Sequence, residues 1–190
     1  MPLKFYKGRA TGNGASCDIY FNSKDESCFI TITKQSGYDN VKKLASFFNG
    51  DFARMKFNTT ELGKFLRTIE KNKESSGFHG GYEGNKQQYF FKPYFDKENE
   101  AIQKGYSLSF IRHEGGEKLS FQIGFDMDEA RVLKEYFIFI LNHIFSALYS
   151  ADKKKMGEKA ENRNKKEVIT EEKRSVPEPV KSEEVSEELF

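Results

Sequence analysis

Apolar and polar residues alternate along the first 60 residues with the two-residue period of half-buried β-strands. Between residues 16 and 22, Cys17, Ile19 and Phe21 alternate with Asp18 and Tyr20. The pattern predicts strands over residues 3–9, 16–22, 29–33 and 53–57, with a short helix over 41–48 in the long connection. An amphipathic helix then closes this half, because its apolar residues recur at helical spacing: Leu62, Phe65, Leu66 and Ile69.

The second half repeats this order. We predict strands over residues 77–82, 88–95, 106–112 and 118–125, followed by a helix whose buried side carries Ala130, Leu133, Phe137, Ile140, Leu141, Ile144 and Leu148. Each strand-to-helix junction has an N-cap with a glutamate three residues later: Asn58 with Glu61, and Asp126 with Glu129. Capping boxes are common enough to match by chance, but the shared strand order favours an internal repeat. The predicted fold class is α+β, with two tandem β-β-β-β-α units that form two antiparallel four-stranded sheets.

Charge and aromatic content divide the chain near residue 150. Residues 1–150 carry 21 basic and 18 acidic side chains and 27 of the 28 Phe and Tyr residues. Residues 151–190 carry 10 basic and 11 acidic side chains, and their one aromatic is Phe190. The second part has too little apolar surface to offset the entropy of ordering it. We therefore predict a folded domain over 1–150 and a disordered tail over 151–190.

Several other classes are not supported by the sequence. The most apolar run, residues 136–149, is short for a membrane span and contains Asn142 and His143, and the first residues lack a secretory h-region. Cys17 and Cys28 are expected to be free thiols of a cytoplasmic protein, in a bacterial cell or a virus-infected host cell. No motif predicts an enzyme, a metal site or a cofactor.

Aromatic rings and cations share the strand faces that the core does not require. Bases stack on rings and cations attract phosphates, so this combination predicts a surface for single-stranded nucleic acid. The alternative is an ordinary solvated edge strand. Residues 88–95 carry rings on both faces, so either Tyr89 and Phe91 or Phe90 and Tyr94 are exposed. The predicted binding residues are Lys4, Tyr6, Lys7, Arg9, Tyr20, Phe29, Arg54, Lys56, Tyr89, Phe91, Lys92 and Tyr94.

The run Tyr6-Lys7-Gly8-Arg9-Ala10 resembles the Lys-Gly-Lys-Ala-Ala-Leu motif of the Whirly family of single-stranded DNA-binding proteins. Further landmarks follow in order over residues 4–149: Thr60-Glu61-Leu62-Gly63, Ser76-Gly77-Phe78-His79, Tyr106-Ser107-Leu108-Ser109-Phe110, and the step from Phe121 through Glu129-Ala130 into an aromatic-rich helix. The resemblance implies two four-stranded sheets, a tetramer joined by helices, and sequence-tolerant binding of single-stranded DNA along the sheet edges. By position, the cations of the motif become Lys7 and Arg9. After Ala10 the chain departs from the motif, which puts assemblies larger than the tetramer in doubt.

The last helix supports the oligomer independently, because aromatic residues surround much of it: Tyr136, Phe137, Phe139, Phe145 and Tyr149.

In the tail, residues 151–166 have a net charge of +4 and residues 167–190 a net charge of −5. The final Glu187, Glu188, Leu189 and Phe190 resemble the acidic tip with which bacterial single-stranded DNA-binding proteins recruit partners; the alternative is a solubilising tail.

Together these features predict an oligomeric, non-enzymatic protein that protects single-stranded DNA and recruits replication, recombination or repair proteins, with no membrane partner. An RNA-binding or transcription-regulating module, or a structural assembly protein, remains the alternative.

Overall fold

A computed structural model describes residues 2–80, 86–99, 101–114 and 116–174, except for the side chains of residues 114, 154 and 157–174. The chain divides into two compact units, Met1–Phe145 and Ser146–Phe190. The strands are β1 (Leu3–Lys7), β2 (Ala15–Asn22), β3 (Ser27–Lys34), β4 (Gly37–Asp39), β5 (Leu44–Ser46), β6 (Phe52–Phe57), β7 (Ser75–Gly80), β8 (Lys86–Phe95), β9 (Gln103–Glu114) and β10 (Glu117–Asp126). The helices are α1 (Thr59–Lys71) and α2 (Met127–Arg174).

The first compact unit, Met1–Phe145, contains two four-stranded antiparallel sheets. Their strand orders are β1-β2-β3-β6 and β7-β8-β9-β10, and a helix follows each sheet in the chain. The predicted pair of β-β-β-β-α units is therefore confirmed.

The connection between β3 and β6 is a hairpin, so the short helix predicted over residues 41–48 is wrong. Strand β4 pairs with β5, and the side chain of Asp39 accepts hydrogen bonds from the backbone N–H groups of Val41 and Lys42 at 2.9 and 3.0 Å. An aspartate that satisfies the next backbone donors favours a turn over a helix.

Aromatic side chains dominate the core between the sheets and the helices. The ring of Phe57 at the end of β6 lies 5.1 Å from that of Phe65 on α1 and 5.1 Å from that of Tyr89 on β8. Phe65 also stacks on Phe137 of α2 at 5.5 Å. On the predicted buried side of α2, Leu148 is the exception, because 48% of it is exposed.

Both predicted capping boxes are present. At the start of α1, Asn58 Oδ1 accepts from the N–H of Glu61 at 3.0 Å, while Glu61 Oε2 accepts from the N–H of Asn58 at 3.1 Å. At the start of α2, Asp126 Oδ1 accepts from the N–H of Glu129 at 2.9 Å, and the reciprocal bond measures 3.0 Å. Each box satisfies backbone donors that the first turn leaves without a partner.

Replacing Asp126 with alanine is expected to lower the free energy of unfolding by about 1 kcal/mol at neutral pH. The hydrogen bond from the N–H of Glu129 keeps the pKa of Asp126 below its usual range. A lowered folded-state pKa stabilises the protein above the unfolded pKa of about 4, and this contribution disappears as the pH falls through the folded value. Urea unfolding at pH 7 and pH 3 should therefore give a smaller difference between wild type and Asp126→Ala at pH 3; an equal difference would contradict the role of the carboxylate.

Side chains from the second half of the chain lie at both ends of α1. His79 Nε2 lies 2.8 Å from Glu61 Oε1 at the first turn. The hydroxyl of Tyr106 donates to the carbonyl oxygen of Ile69 at 2.8 Å, in the last turn. The two β-β-β-β-α units are therefore joined by hydrogen bonds as well as by the core.

Residues 151–174 are helical in the structure, as part of α2, where composition predicted disorder. This stretch is rich in Lys and Glu, which have high helix propensity, and Glu161 and Lys165 have the spacing of a favourable ion pair. Low apolar content therefore did not exclude a helix. Residues 175–190 lie outside the described part of the chain.

Candidate nucleic-acid interface

Six of the twelve predicted binding residues share one solvent-facing surface of the first sheet, which we call the ring-and-cation face. Strand alternation directs them outward, because their neighbours Phe5, Ile19, Ile30, Met55 and Phe57 fill the core. The six are Lys4, Tyr6, Tyr20, Phe29, Arg54 and Lys56.

The register of the strands lines up rings and cations across this face. Tyr20 pairs with Phe29, and Phe29 pairs with Lys56. The guanidinium of Arg54 lies over the Phe29 ring at 4.4 Å, and the amine of Lys56 lies 5.8 Å from the same ring. A flat guanidinium supported by a ring offers a second stacking surface for a base, while Tyr20 stays exposed beside it.

The other end of the face combines two exposed rings with a paired lysine. Tyr6 and Phe52 are 59% and 55% exposed. Lys4 pairs with Asp18 at 3.2 Å, and the hydrogen bond and charge of that carboxylate raise the pKa of the lysine. Lys4 is therefore partly neutralised in the free protein, and Lys56 lies 3.9 Å from a carboxylate oxygen of Asp25, which makes Arg54 the stronger candidate for phosphate contacts.

Lys7 lies on the opposite side of β1 from Tyr6. Its amine pairs with Glu129 at 2.5 Å and with Asp126 at 3.5 Å. Burial works against the charged amine, but the hydrogen bond and charge of Glu129 outweigh burial and raise the pKa of Lys7. In the free protein this cation serves the capping box of α2, and the structure does not place it with the ring-and-cation face.

Three further predicted residues line a cleft of about 580 Å³: Arg9, Lys92 and Tyr94. A smaller hollow of about 300 Å³ shares Arg9 and Tyr94 with it. The cleft also contains Asn13, Phe95, Lys97, Ser107, Gln122 and Gly124. Three cations, two rings and several hydrogen-bonding groups give the cleft the chemistry of a nucleotide site.

The side chain of Gln35 holds the backbone of Arg9 at this cleft. Its Oε1 accepts from the N–H of Arg9 at 2.9 Å, and its Nε2 donates to the carbonyl oxygen of Arg9 at 2.8 Å. Nε2 also lies 3.0 Å from the carbonyl oxygen of Gly37. The loop that follows β1 is therefore fixed by an amide that sequence reasoning did not single out.

The assignment of Tyr89 and Phe91 as binding residues is wrong. Both rings are buried, at 0% and 1% exposure, in the core around Phe65. Strand β8 therefore turns Phe90, Lys92 and Tyr94 toward the outer side. Phe90 belongs to the alternative set of exposed rings, and its alternation with buried Tyr89 and Phe91 identifies it as outward-facing.

Sequence reasoning also missed Phe52, Phe95 and Lys97. Phe52 alternates with Arg54 and Lys56 on the same strand, so the existing pattern already contained the signal for it. Phe95 and Lys97 enter the cleft at the irregular end of β8, where the register shifts at residues 94 and 95. Simple alternation gives no information there.

The described residues offer little to metal or thiol chemistry. Among them no group of three or more His, Cys, Asp or Glu side chains could hold a metal ion. Cys17 and Cys28 are free and buried, as the prediction of free thiols requires, and burial raises the pKa of Cys28 to about 12.

Helix α2 leaves apolar side chains uncovered in the first unit. Val132, Phe139 and Phe145 are 50%, 58% and 55% exposed, while Leu133 and Phe137 are buried against the sheets. Residues Met127–Lys153 are long and apolar enough to cross a membrane by length and composition, a test that core helices also pass. Because one side of this stretch completes the core, we interpret it as a core helix with an uncovered outer side.

The predicted partner-binding tip, Glu187, Glu188, Leu189 and Phe190, lies outside the described residues.

Solved structures share this fold. WHY1 from Arabidopsis thaliana aligns with 83% of this chain and 92% of its own, at 15% identity and a TM-score of 0.57. The plant transcriptional regulator PBF-2 aligns with 80% of this chain and 94% of its own, at 12% identity and a TM-score of 0.58. A guide-RNA-binding protein complex bound to a guide RNA aligns with 76% of this chain and 93% of its own, at 14% identity and a TM-score of 0.54. No protein-family model and no curated protein matches the sequence. The likeness to the Whirly proteins WHY1 and PBF-2 shows that the chain has a Whirly-like fold.

Proposed function

We propose that this chain, built on the Whirly-like fold, is a non-enzymatic protein that binds single-stranded DNA with little dependence on sequence. The ring-and-cation face carries the proposal, because it presents rings for stacking and cations for phosphates side by side. Every base has a face that can stack, so rings select single strands without selecting a sequence. The cleft at Arg9, Lys92 and Tyr94 extends the same chemistry.

The solved structures that share the fold support nucleic acid as the ligand class. One is a transcriptional regulator, and one is bound to a guide RNA. The second of these keeps RNA binding as the alternative function, since the proposed surface offers stacking to either nucleic acid.

A titration of the full chain with three ligands tests the proposal. Fluorescence anisotropy with oligo-dT, oligo-U and a duplex of equal length should give the tightest binding to oligo-dT and an affinity that falls steeply with salt. Preference for oligo-U would favour the RNA-binding alternative. No binding to any of the three at low salt would overturn nucleic-acid binding and leave a structural assembly role.

We also propose that the protein acts as a homo-oligomer, most simply a tetramer. The uncovered side of α2 at Val132, Phe139 and Phe145 supports this, since large exposed apolar patches mark interaction sites. Sedimentation velocity should give about four times the 22.0 kDa mass of one chain. A monomer at micromolar concentration would overturn the proposal.

The acidic C-terminus is proposed to recruit replication, recombination or repair proteins. Phe190 suits an apolar pocket with a nearby cation, and the glutamates steer the approach. The same acids compete with DNA phosphates for the basic surfaces. Deletion of residues 183–190 is expected to tighten oligo-dT binding at low salt and to abolish partner capture; unchanged behaviour in both assays would contradict the proposal.

A further inference from the structure

The β4–β5 hairpin and the turn that follows it, residues 37–49 and together called the hairpin below, expose apolar side chains that the fold does not use. Val41, Leu44 and Phe48 are 91%, 61% and 82% exposed. Lys42 and Lys43 lie between the first two of them in the turn. Exposed apolar groups beside two cations are typical of an interaction surface.

Hydrogen bonds fix the base of this hairpin. The hydroxyl of Ser36 lies 2.7 Å from the carbonyl oxygen of Phe48 and 3.2 Å from that of Ser46. The side-chain amide of Gln35 joins Gly37 to Arg9. The hairpin therefore presents its exposed side chains from a defined position.

The hairpin lies beside β1, between the ring-and-cation face and the cleft at Arg9, Lys92 and Tyr94. The ring of Phe47 lies 5.8 Å from the ring of Tyr6, which belongs to the face. Gly8 follows the end of β1, and a Cβ on it would lie 2.5 Å from the Cβ of Ala45, so a glycine is needed for the close approach. The next residue is Arg9, which lines the cleft.

We propose that the β4–β5 hairpin is a third contact for single-stranded DNA, which it meets as the strand passes from the ring-and-cation face to the cleft. Phe48 supplies a ring on which one base stacks, and Lys42 and Lys43 supply cations for the phosphates. The inference rests on the proposed function.

The charge and the small area of the hairpin surface favour nucleic acid over a second protein as its ligand. Lys42 and Lys43 complement phosphates, and the nearest acid in the turn, Asp39, is occupied with the N–H groups of Val41 and Lys42. A stable protein interface buries about 800 Å² on each partner, more than a few side chains on a narrow hairpin present. The ring contact between Phe47 and Tyr6 also continues the ring-and-cation face onto the hairpin.

Variants of the full chain test the hairpin, because side chains this exposed can be replaced without loss of folding. Phe48→Ala should weaken oligo-dT binding by about 5- to 150-fold, and Phe48→Tyr, which keeps a ring, should bind like wild type. The double variant Lys42→Ala/Lys43→Ala should reduce the slope of log K against log salt by about 1.4. The control Lys71→Ala/Lys73→Ala removes the same charge at the end of α1 and should leave a smaller change in slope.

The outcomes separate this inference from the proposed function. If wild type binds oligo-dT while Phe48→Ala and the hairpin lysine variant bind as tightly, with the same slope, the hairpin contact is overturned and the proposed function stands. If wild type itself does not bind, both fail. A change in sedimentation coefficient with unchanged DNA affinity would show that the hairpin meets a second copy of the chain, which also overturns the inference.

Discussion

Replacing both Tyr20 and Phe29 with alanine is expected to weaken oligo-dT binding by about 2 to 6 kcal/mol, at least about 30-fold in Kd. Stacking on an aromatic ring contributes about 1 to 3 kcal/mol per base. Tyr20 is exposed, and Phe29 supports the guanidinium of Arg54. The double variant thus removes one stacking surface and the support of another. Anisotropy titrations at fixed salt measure the effect.

Two controls distinguish lost stacking from a distorted sheet. Tyr20→Phe/Phe29→Tyr keeps both rings and should bind like wild type. Arg54→Ala/Lys56→Ala should reduce the salt slope by about 1.4, whereas the ring variants should leave the slope nearly unchanged. If Tyr20→Ala/Phe29→Ala binds oligo-dT within twofold of wild type, the ring-and-cation face is not the DNA site.

Replacing Phe57 with alanine is expected to destabilise the fold by about 3 to 5 kcal/mol, a large share of the 5 to 15 kcal/mol typical of a domain. Phe57 is 1% exposed and contacts rings from α1 and β8. Its removal leaves a cavity where two helices and two sheets share one core. Urea unfolding followed by circular dichroism measures the loss.

Phe52 provides a matched control on the same strand. It has the same side chain but faces outward and is 55% exposed, so Phe52→Ala should change the free energy of unfolding by no more than about 0.5 kcal/mol. Equal losses for the two variants would contradict the assignment of the inner and outer faces of β6.

The repeat and its capping boxes were predictable because both signals are local. Alternation along a strand involves only consecutive residues, and a capping box involves only an N-cap residue and a glutamate three positions later. Asn58 and Asp126 therefore located the starts of both helices. The short helix predicted over residues 41–48 was wrong because Asp39 directs the backbone into a turn.

The facing of β8 was not predictable, because rings occupy consecutive positions from Tyr89 to Phe91 and both alternations are apolar. Only the sheet partner and the packing of Phe65 decide that Tyr89 is inside. The ion pairs of Lys7 were also not predictable from the sequence. Its neighbour Phe5 is a core residue, which places Lys7 on the inner side, but the acids that neutralise it lie more than 100 residues away in the chain.

The contacts of His79 and Tyr106 with the two ends of α1 have a consequence for local opening. Helix α1 cannot separate from the second sheet without losing the partner of Glu61 in its first turn and the hydrogen bond to the carbonyl oxygen of Ile69 in its last turn. Amide hydrogens of α1 and of the second sheet should therefore exchange with solvent in the same cooperative event. The helix of the first half and the sheet of the second half are therefore expected to open together.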